Sequence, residues 1–273
     1  MALVFRVNGS GGASYSNSYS VDLEASSDQY LEASGSSTFD LSTYGESFSI
    51  SMWVKAESYP SGDFNAFISK GMAYRAMNQG GTIYFYVAPG LTGYSENAYI
   101  SNGGTGSWQH LVFTFDGDSL NDASFVASGQ LVAKIYRNAT AGTSYRNAYG
   151  ARMAASNSAT NSNTFQIGGS DLGNSDAFFY NNYATFDGMI DEVSYWDKAL
   201  SSTEVTELYN SGSAADLTSH SAASNLVSWW RMGDNASDDL TADTGQITDV
   251  EGSNNLIPRN TTSSSKVEDT PGS

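Results

Sequence analysis

The chain has 273 residues, of which 40% are hydrophobic, 13% aromatic and only 15% charged, with a formal net charge of −17 and no cysteine. That length can bury a substantial core as one all-β domain. The acidity repels phosphate backbones and excludes a nucleic-acid partner, and the lack of cysteine excludes disulfides and thiolate metal sites.

Residues 1–18 read as an arm and tether: Leu3, Val4, Phe5 and Val7 are apolar, and Gly9 to Ser14 are small and polar. Arg6 interrupts the apolar stretch, which is too short for a signal-peptide core. No run approaches the ~20 apolar residues of a membrane span, so no membrane insertion is expected. From Tyr19 the chain alternates: Tyr19, Val21 and Leu23 oppose Ser20, Asp22 and Glu24. The clearest strand sets Phe48, Ile50, Met52 and Val54 against Ser49, Ser51, Trp53 and Lys55. Further strands are predicted at 67–69, 82–87, 108–115, 133–137, 165–167 and 188–196, separated by Gly-Gly and Asp-Gly turns. One short helix is predicted near 202–210, capped by Ser201 or Ser202, with Glu204 in its first turn. A strand near 226–232 carries Trp229 and Trp230, and 259–273 reads as a flexible tail. The resulting expectation is a two-sheet antiparallel jelly-roll sandwich over 19–258, with Ile50, Met52, Val54, Val112 and Val193 in the core between the sheets.

Four stretches carry a family likeness in order, and a fifth stands apart because it resembles a segment that often opens such domains and here comes last. They are Tyr19-Ser-Val-Asp-Leu-Glu-Ala-Ser-Ser-Asp-Gln-Tyr-Leu31, Phe48-Ser-Ile-Ser-Met-Trp-Val-Lys55, Trp108-Gln-His-Leu-Val-Phe-Thr-Phe-Asp-Gly117, the run from Gly188-Met-Ile-Asp-Glu-Val to Glu204-Val205, and Asn225-Leu-Val-Ser-Trp-Trp-Arg-Met-Gly-Asp234. The first four, in that order across roughly residues 19–212, resemble the laminin G-like, concanavalin A-like lectin/glucanase superfamily. Asn17-Ser-Tyr-Ser-Val-Asp-Leu23 and Ser228-Trp-Trp-Arg-Met-Gly-Asp234 also look like laminin G-like proteins among bacteriophage virion proteins. The resemblance implies a non-enzymatic virion surface protein, a fibre or capsid decoration module. Its partners would be other virion proteins or copies of itself through the amino-terminal arm, and it would form a homo-oligomer. A bacterial carbohydrate-binding module, extracellular or on the cell surface, is the alternative, and a glycan hydrolase the third reading.

Glycanases of this fold carry a Glu-x-Asp-x-(x)-Glu strand motif. Here Asp22 and Glu24 share a strand face without a third acid at that spacing, and Asp191 and Glu192, being adjacent, are expected on opposite faces. His110 alternates with Trp108 and Val112 as a hydrogen-bonded core residue, and His220 sits in a polar loop without a partner motif. No catalytic residue is therefore assigned. Calcium is a candidate cofactor, with oxygen ligands available at Asp28, Asp171, Asn174, Asp176, Asp234, Asn235 and Asp239. A cell-surface glycan, if bound, is expected at Phe179, Tyr180, Asn181, Asn182, Tyr183 and Asp176, where aromatic faces and amides are interleaved. The same cluster suits a subunit interface.

Overall fold

A computed structural model describes residues 15–33, 37–41, 46–59, 64–71, 73–87, 95–121, 131–147, 163–170 and 183–273. Two sheets face each other. The first has eight strands in the order β10 (Thr140–Ala141), β9 (Ala133–Arg137), β8 (Gln109–Phe115), β3 (Phe48–Ser58), β14 (Asp187–Trp196), β1 (Ser20–Leu23) and β17 (Lys266–Val267), with β15 (Leu226–Trp230) also paired to β14. The second has nine: β11 (Thr143–Asn147), β7 (Ser95–Ser101), β6 (Thr82–Val87), β5 (Tyr74–Gln79), β4 (Phe64–Lys70), β12 (Phe165–Ile167), β2 (Tyr30–Ala33) and β16 (Ile257–Arg259), with β13 (Tyr183–Ala184) beside β4. Pairing is antiparallel except between β13 and β4.

The predicted alternation decides which side chains meet between the sheets. Phe48, Ile50, Met52, Val54 and Val193 are at most 1% exposed and join Ile83, Phe85, Phe113 and Trp230 in the main core. Val112, expected among them, is buried on the other face of the first sheet. There α1 (Ser202–Tyr209) and the 213–225 connection bring Leu200, Val205, Leu208 and Leu217 down onto Val112, Trp196 and Trp229. The first sheet is thus apolar on both faces, which strict alternation with polar serines does not suggest. Ser201 closes a capping box with Glu204 at the start of α1.

The stretch 259–273, read as a flexible tail, is integrated instead. Lys266 and Val267 add an edge strand to β1. Asp269 then accepts from Trp108 Nε1 at 2.8 Å and pairs with Lys55 at 2.5 Å. The Ser/Thr composition misleads because these hydroxyls are consumed locally, as in the Thr262–Ser265 capping box. Residues 233–256 contain little regular structure and are organised around two carboxylates. Asp238 accepts from the backbone N–H groups of Gly233, Asn235 and Thr248, and Asp249 from those of Trp229, Glu251, Gly252 and Asn254. Of the arm and tether, residues 1–14 lie outside the described residues. Tyr15 to Ser18 are docked on the sandwich by Trp229, Asp191 and Asp234. Among the described residues no helix is long and apolar enough to cross a membrane.

Candidate functional site

Among the described residues, the outer face of the second sheet carries a cluster of four tyrosines, Tyr84, Tyr86, Tyr99 and Tyr145. In β6, Ile83, Phe85 and Val87 are fully buried toward the core, so Tyr84 and Tyr86 must point the other way. Register then places Tyr84 opposite Tyr99, and Asn97 between Tyr86 on β6 and Tyr145 on β11. Ring centroids lie 5.8 Å apart for Tyr84–Tyr86, 6.1 Å for Tyr84–Tyr99 and 5.8 Å for Tyr99–Tyr145. Tyr86 shares a side-chain hydrogen bond with Tyr145, and the Arg75 guanidinium lies 5.8 Å from the Tyr86 ring centre. Burial pushes the Tyr86 and Tyr145 hydroxyls above the ordinary tyrosine range, so both rings stay neutral.

Tyr99 is 39% exposed, the one large apolar side chain so exposed among the described residues. Tyr84 and Tyr145 pack against its ring without covering it. An open ring beside phenolic hydroxyls suits a ligand with C–H faces and hydroxyls together. The sequence did carry a signal for this cluster, namely tyrosines at i and i+2 of a strand whose intervening residues are all aliphatic or Phe. The run at 178–183 is denser in aromatics and amides and is the stronger signal in the sequence. Asp176 and, of that run, Phe179, Tyr180, Asn181 and Asn182 lie outside the described residues, and Tyr183 opens β13, whose backbone runs parallel to Phe64 and Asn65 of β4.

The acids and histidines resolve differently from one another. Asp191 and Glu192 do not alternate. The β14 register shifts against β3 between Asp191 and Ser194, and Glu192 has φ 45°, so both carboxyls turn to the outer face of the first sheet. Asp191 accepts from Asn17 Nδ2 at 2.8 Å. Glu192 accepts from Trp229 Nε1 at 2.5 Å and from Arg231 Nε at 3.2 Å. Burial, and then the neighbouring Glu192, hold the Asp191 carboxyl well above the usual range, while burial against the opposing pull of Arg231 puts Glu192 at about 7. These bonds tie the 15–18 segment, Trp229 of β15 and Arg231 to β14.

His110 is a core residue as expected. It is 1% exposed, lies 2.7 Å from Ser51 Oγ and stacks near Trp53 and Tyr209. Burial pushes its pKa down to about 3, so it remains neutral. His220 is not a partnerless loop residue. It is 6% exposed, its Nδ1 accepts from Ala222 N, and Nε2 therefore carries the proton and donates to the Glu204 carbonyl at 3.0 Å. The helix hides this partnership from the sequence, because Glu204 lies sixteen residues earlier.

Of the expected calcium ligands, Asp171, Asn174 and Asp176 lie outside the described residues. Asp234 accepts from Ser18 N and Asp239 from Thr241, and neither belongs to a group of three acids with oxygens within 4.8 Å of one another among the described residues. Asp22 and Glu24 instead meet Glu57 from β3, their carboxylate oxygens within 4.8 Å of one another. Burial and then Glu57 push Asp22 up to about 6. Glu24 and Glu57 are exposed.

Comparison with known proteins places this geometry in context. No curated protein sequence matches the chain. A Bacteroides ovatus protein inferred to bind carbohydrate superposes with a TM-score of 0.55 at 16% identity, over 94% of this chain and 62% of that one. The chain therefore spans less than two thirds of that protein's length. Domain 4 of an extracellular arabinanase from Geobacillus stearothermophilus, solved with arabinotriose, gives a TM-score of 0.36 at 19% identity, over 69% of this chain and 75% of that one. Botulinum neurotoxin type C, whose cell entry depends on two ganglioside molecules, gives 0.38 at 15% identity, over 61% and 36%. At 16% identity the first likeness establishes the fold and leaves the ligand open. A laminin G-type family model matches residues 25–206, most of the chain and the whole span from the first 3-10 turn into α1. With that match and the two-sheet sandwich, the chain belongs to the concanavalin A-like lectin/glucanase superfamily.

Proposed function

We propose that the protein is a non-catalytic glycan-binding module whose tyrosine face on the second sheet holds a saccharide. The observation that carries this is Tyr99, an exposed ring buttressed by Tyr84 and Tyr145. Superfamily membership and a carbohydrate-binding fold neighbour support the class of ligand. Stacking on one ring contributes about 1 kcal/mol, so a single copy binds weakly and useful attachment needs many copies. Display on a virion surface, as fibre or capsid decoration, supplies those copies and is the setting we favour. Display on a bacterial surface is the alternative. The residues at 176–183 belong to the proposal as a flanking contact, since β13 ends that stretch beside β4 of the same sheet. Glycan-array screening of a multivalent form should find ligands whose binding falls about fivefold or more in Tyr99→Ala. A Tyr180→Ala/Tyr183→Ala variant separates the flanking contribution. Binding that survives in both variants would remove the site from this face.

A further inference from the structure

Residues 15–18 lie as a short strap on the outer face of the first sheet, and most of its anchors converge on one group of charges. Asn17 Nδ2 donates to Asp191 Oδ2 at 2.8 Å, and Ser18 N donates to Asp234 Oδ1 at 3.1 Å. Arg231 Nη2 donates to the Ser16 carbonyl, and its guanidinium lies 4.7 Å from the centre of the Tyr15 ring. Beneath the strap, the β14 bulge turns Asp191 and Glu192 to the same side of the sheet. They are 0% and 5% exposed, and Arg231 is the cation they face, 3.2 Å from Glu192. Two adjacent carboxylates shut away from water cannot both ionise cheaply beside one guanidinium, so the docked strap favours a proton kept by the pair. The upward displacement of both carboxyls, caused first by burial, agrees with that geometry.

We propose that Asp191 and Glu192 form a proton-operated latch, which holds the 15–18 strap on the sandwich in acidic solution and loosens it as the pH rises through neutrality. Lifting the strap takes Asn17 from Asp191 and Tyr15 from beside Glu192, and lets water reach the carboxylates. The open state then gives up a proton that the docked state keeps. Below the ordinary carboxylate range, roughly pH 4, both states are protonated and the latch is at full strength. As the pH rises from there through 7, the open state gains up to about tenfold per pH unit for each proton released. The surrounding charges do not reverse this. Asp234 adds a third carboxylate beside Asp191, and Lys266 lies on the far side of Asp234 as its partial counter-charge. Asp216 and Glu251 stand at the rim of the cleft that Tyr15 and Arg231 line, and Glu207 and His220 line the adjoining one with Tyr15. The latch decides whether the chain before Tyr15 starts from the sandwich surface or swings from Tyr19, and so how far that arm reaches. It does not depend on the tyrosine face.

The chain has no cysteine and the Ser16 side chain is exposed, so Ser16→Cys places a single nitroxide label on the strap without touching its anchors. Electron paramagnetic resonance then separates docked, slow label from released, fast label. Circular dichroism on the same samples restricts the comparison to pH values at which the sandwich is folded. The expected result is a slow label at about pH 5 and a fast fraction that grows as the pH passes 7 toward 9. Asp191→Asn keeps an acceptor for Asn17 but removes one ionisation, and should flatten the response, as should Glu192→Gln. Asn17→Ala should give a fast label across the range, and His220→Gln should leave the parent transition in place. A fast fraction that is constant or falls with rising pH would overturn the latch. So would a transition that survives both carboxyl variants, one that vanishes with His220→Gln, or a label that stays slow in Asn17→Ala.

Discussion

Replacing Asp249 should damage the fold more than any other single polar substitution outside the sheets. Its side chain is 5% exposed and anchors the 249–254 turn to β15. Oδ1 accepts from the N–H groups of Trp229 at 2.9 Å, Glu251 at 3.2 Å and Gly252 at 2.9 Å, and Oδ2 accepts from Asn254 N at 3.0 Å. A Cβ on Gly252 would come within 2.6 Å of both Asp249 Oδ2 and the Val227 carbonyl, so this turn closes only around glycine. Asp249→Ala strands four backbone donors. Each costs about 1–3 kcal/mol if it stays dry, and water entering the vacated space recovers part of that, leaving roughly 3–5 kcal/mol. That is a large share of the 5–15 kcal/mol typical of folded domains. Asp249→Asn keeps the shape but opposes an amide N–H₂ to the Asn254 N–H, and should cost about half as much. Urea unfolding followed by tryptophan fluorescence measures both, through a lower midpoint at constant slope. An alanine variant within about 1 kcal/mol of the parent would show that these four bonds do not hold the segment.

Other consequences can be checked in the same assay. Ile50→Ala, in the fully buried core, should lose about 2–5 kcal/mol, and a loss of a few tenths would contradict the register of β3. Ser201→Ala, which opens the capping box of α1, should cost about 1 kcal/mol. His110 has a folded pKa of about 3 against 6.5 in the unfolded chain, so the unfolded state binds the proton first. Its contribution is intact above pH 6.5 and erodes as pH falls toward 3, so His110→Gln should gain stability relative to the parent between pH 6.5 and 4; a pH-independent difference would refute this. Glu192 at about 7 and Asp22 at about 6 have the opposite sign, contributing fully below their unfolded pKa values and losing that contribution as pH rises through 7 and 6. Deleting residues 1–12 should leave the midpoint unchanged, because the docked Tyr15 to Ser18 are retained, while removing any higher-order assembly seen by light scattering.

The sandwich was legible because its central strands obey a period of two. Phe48 to Val54, and Thr82 to Val87, read as strands from residues alone, and β9 and β12 matched their predicted bounds. β5 and β7 escaped because their core-facing positions mix Ala76 and Ala98 with the polar Asn78 and Glu96, while Met77 and Tyr99 lie on the other face, a pattern without apolar contrast. Val112 was misassigned because alternation says which residues share a face and not which face is inward when both are covered. The Asp191–Glu192 error came from a bulge, a backbone event that adds one residue without a composition signature. The candidate site was only partly legible. Tyr84 and Tyr86 show their common face in one strand, but Tyr99 and Tyr145 reach them only through the register of β7 and β11, which the sequence does not display.

The claim that a saccharide sits on the second sheet's tyrosine face is tested most directly with 3-fluorotyrosine-labelled protein, titrated with the strongest neutral oligosaccharide from the array. Assigning the four resonances by single Tyr→Phe substitutions identifies each ring. The account predicts that Tyr99 shifts most and saturates together with binding, with smaller changes at Tyr84 and Tyr145. Saturable binding that leaves all four of these resonances unmoved would contradict it.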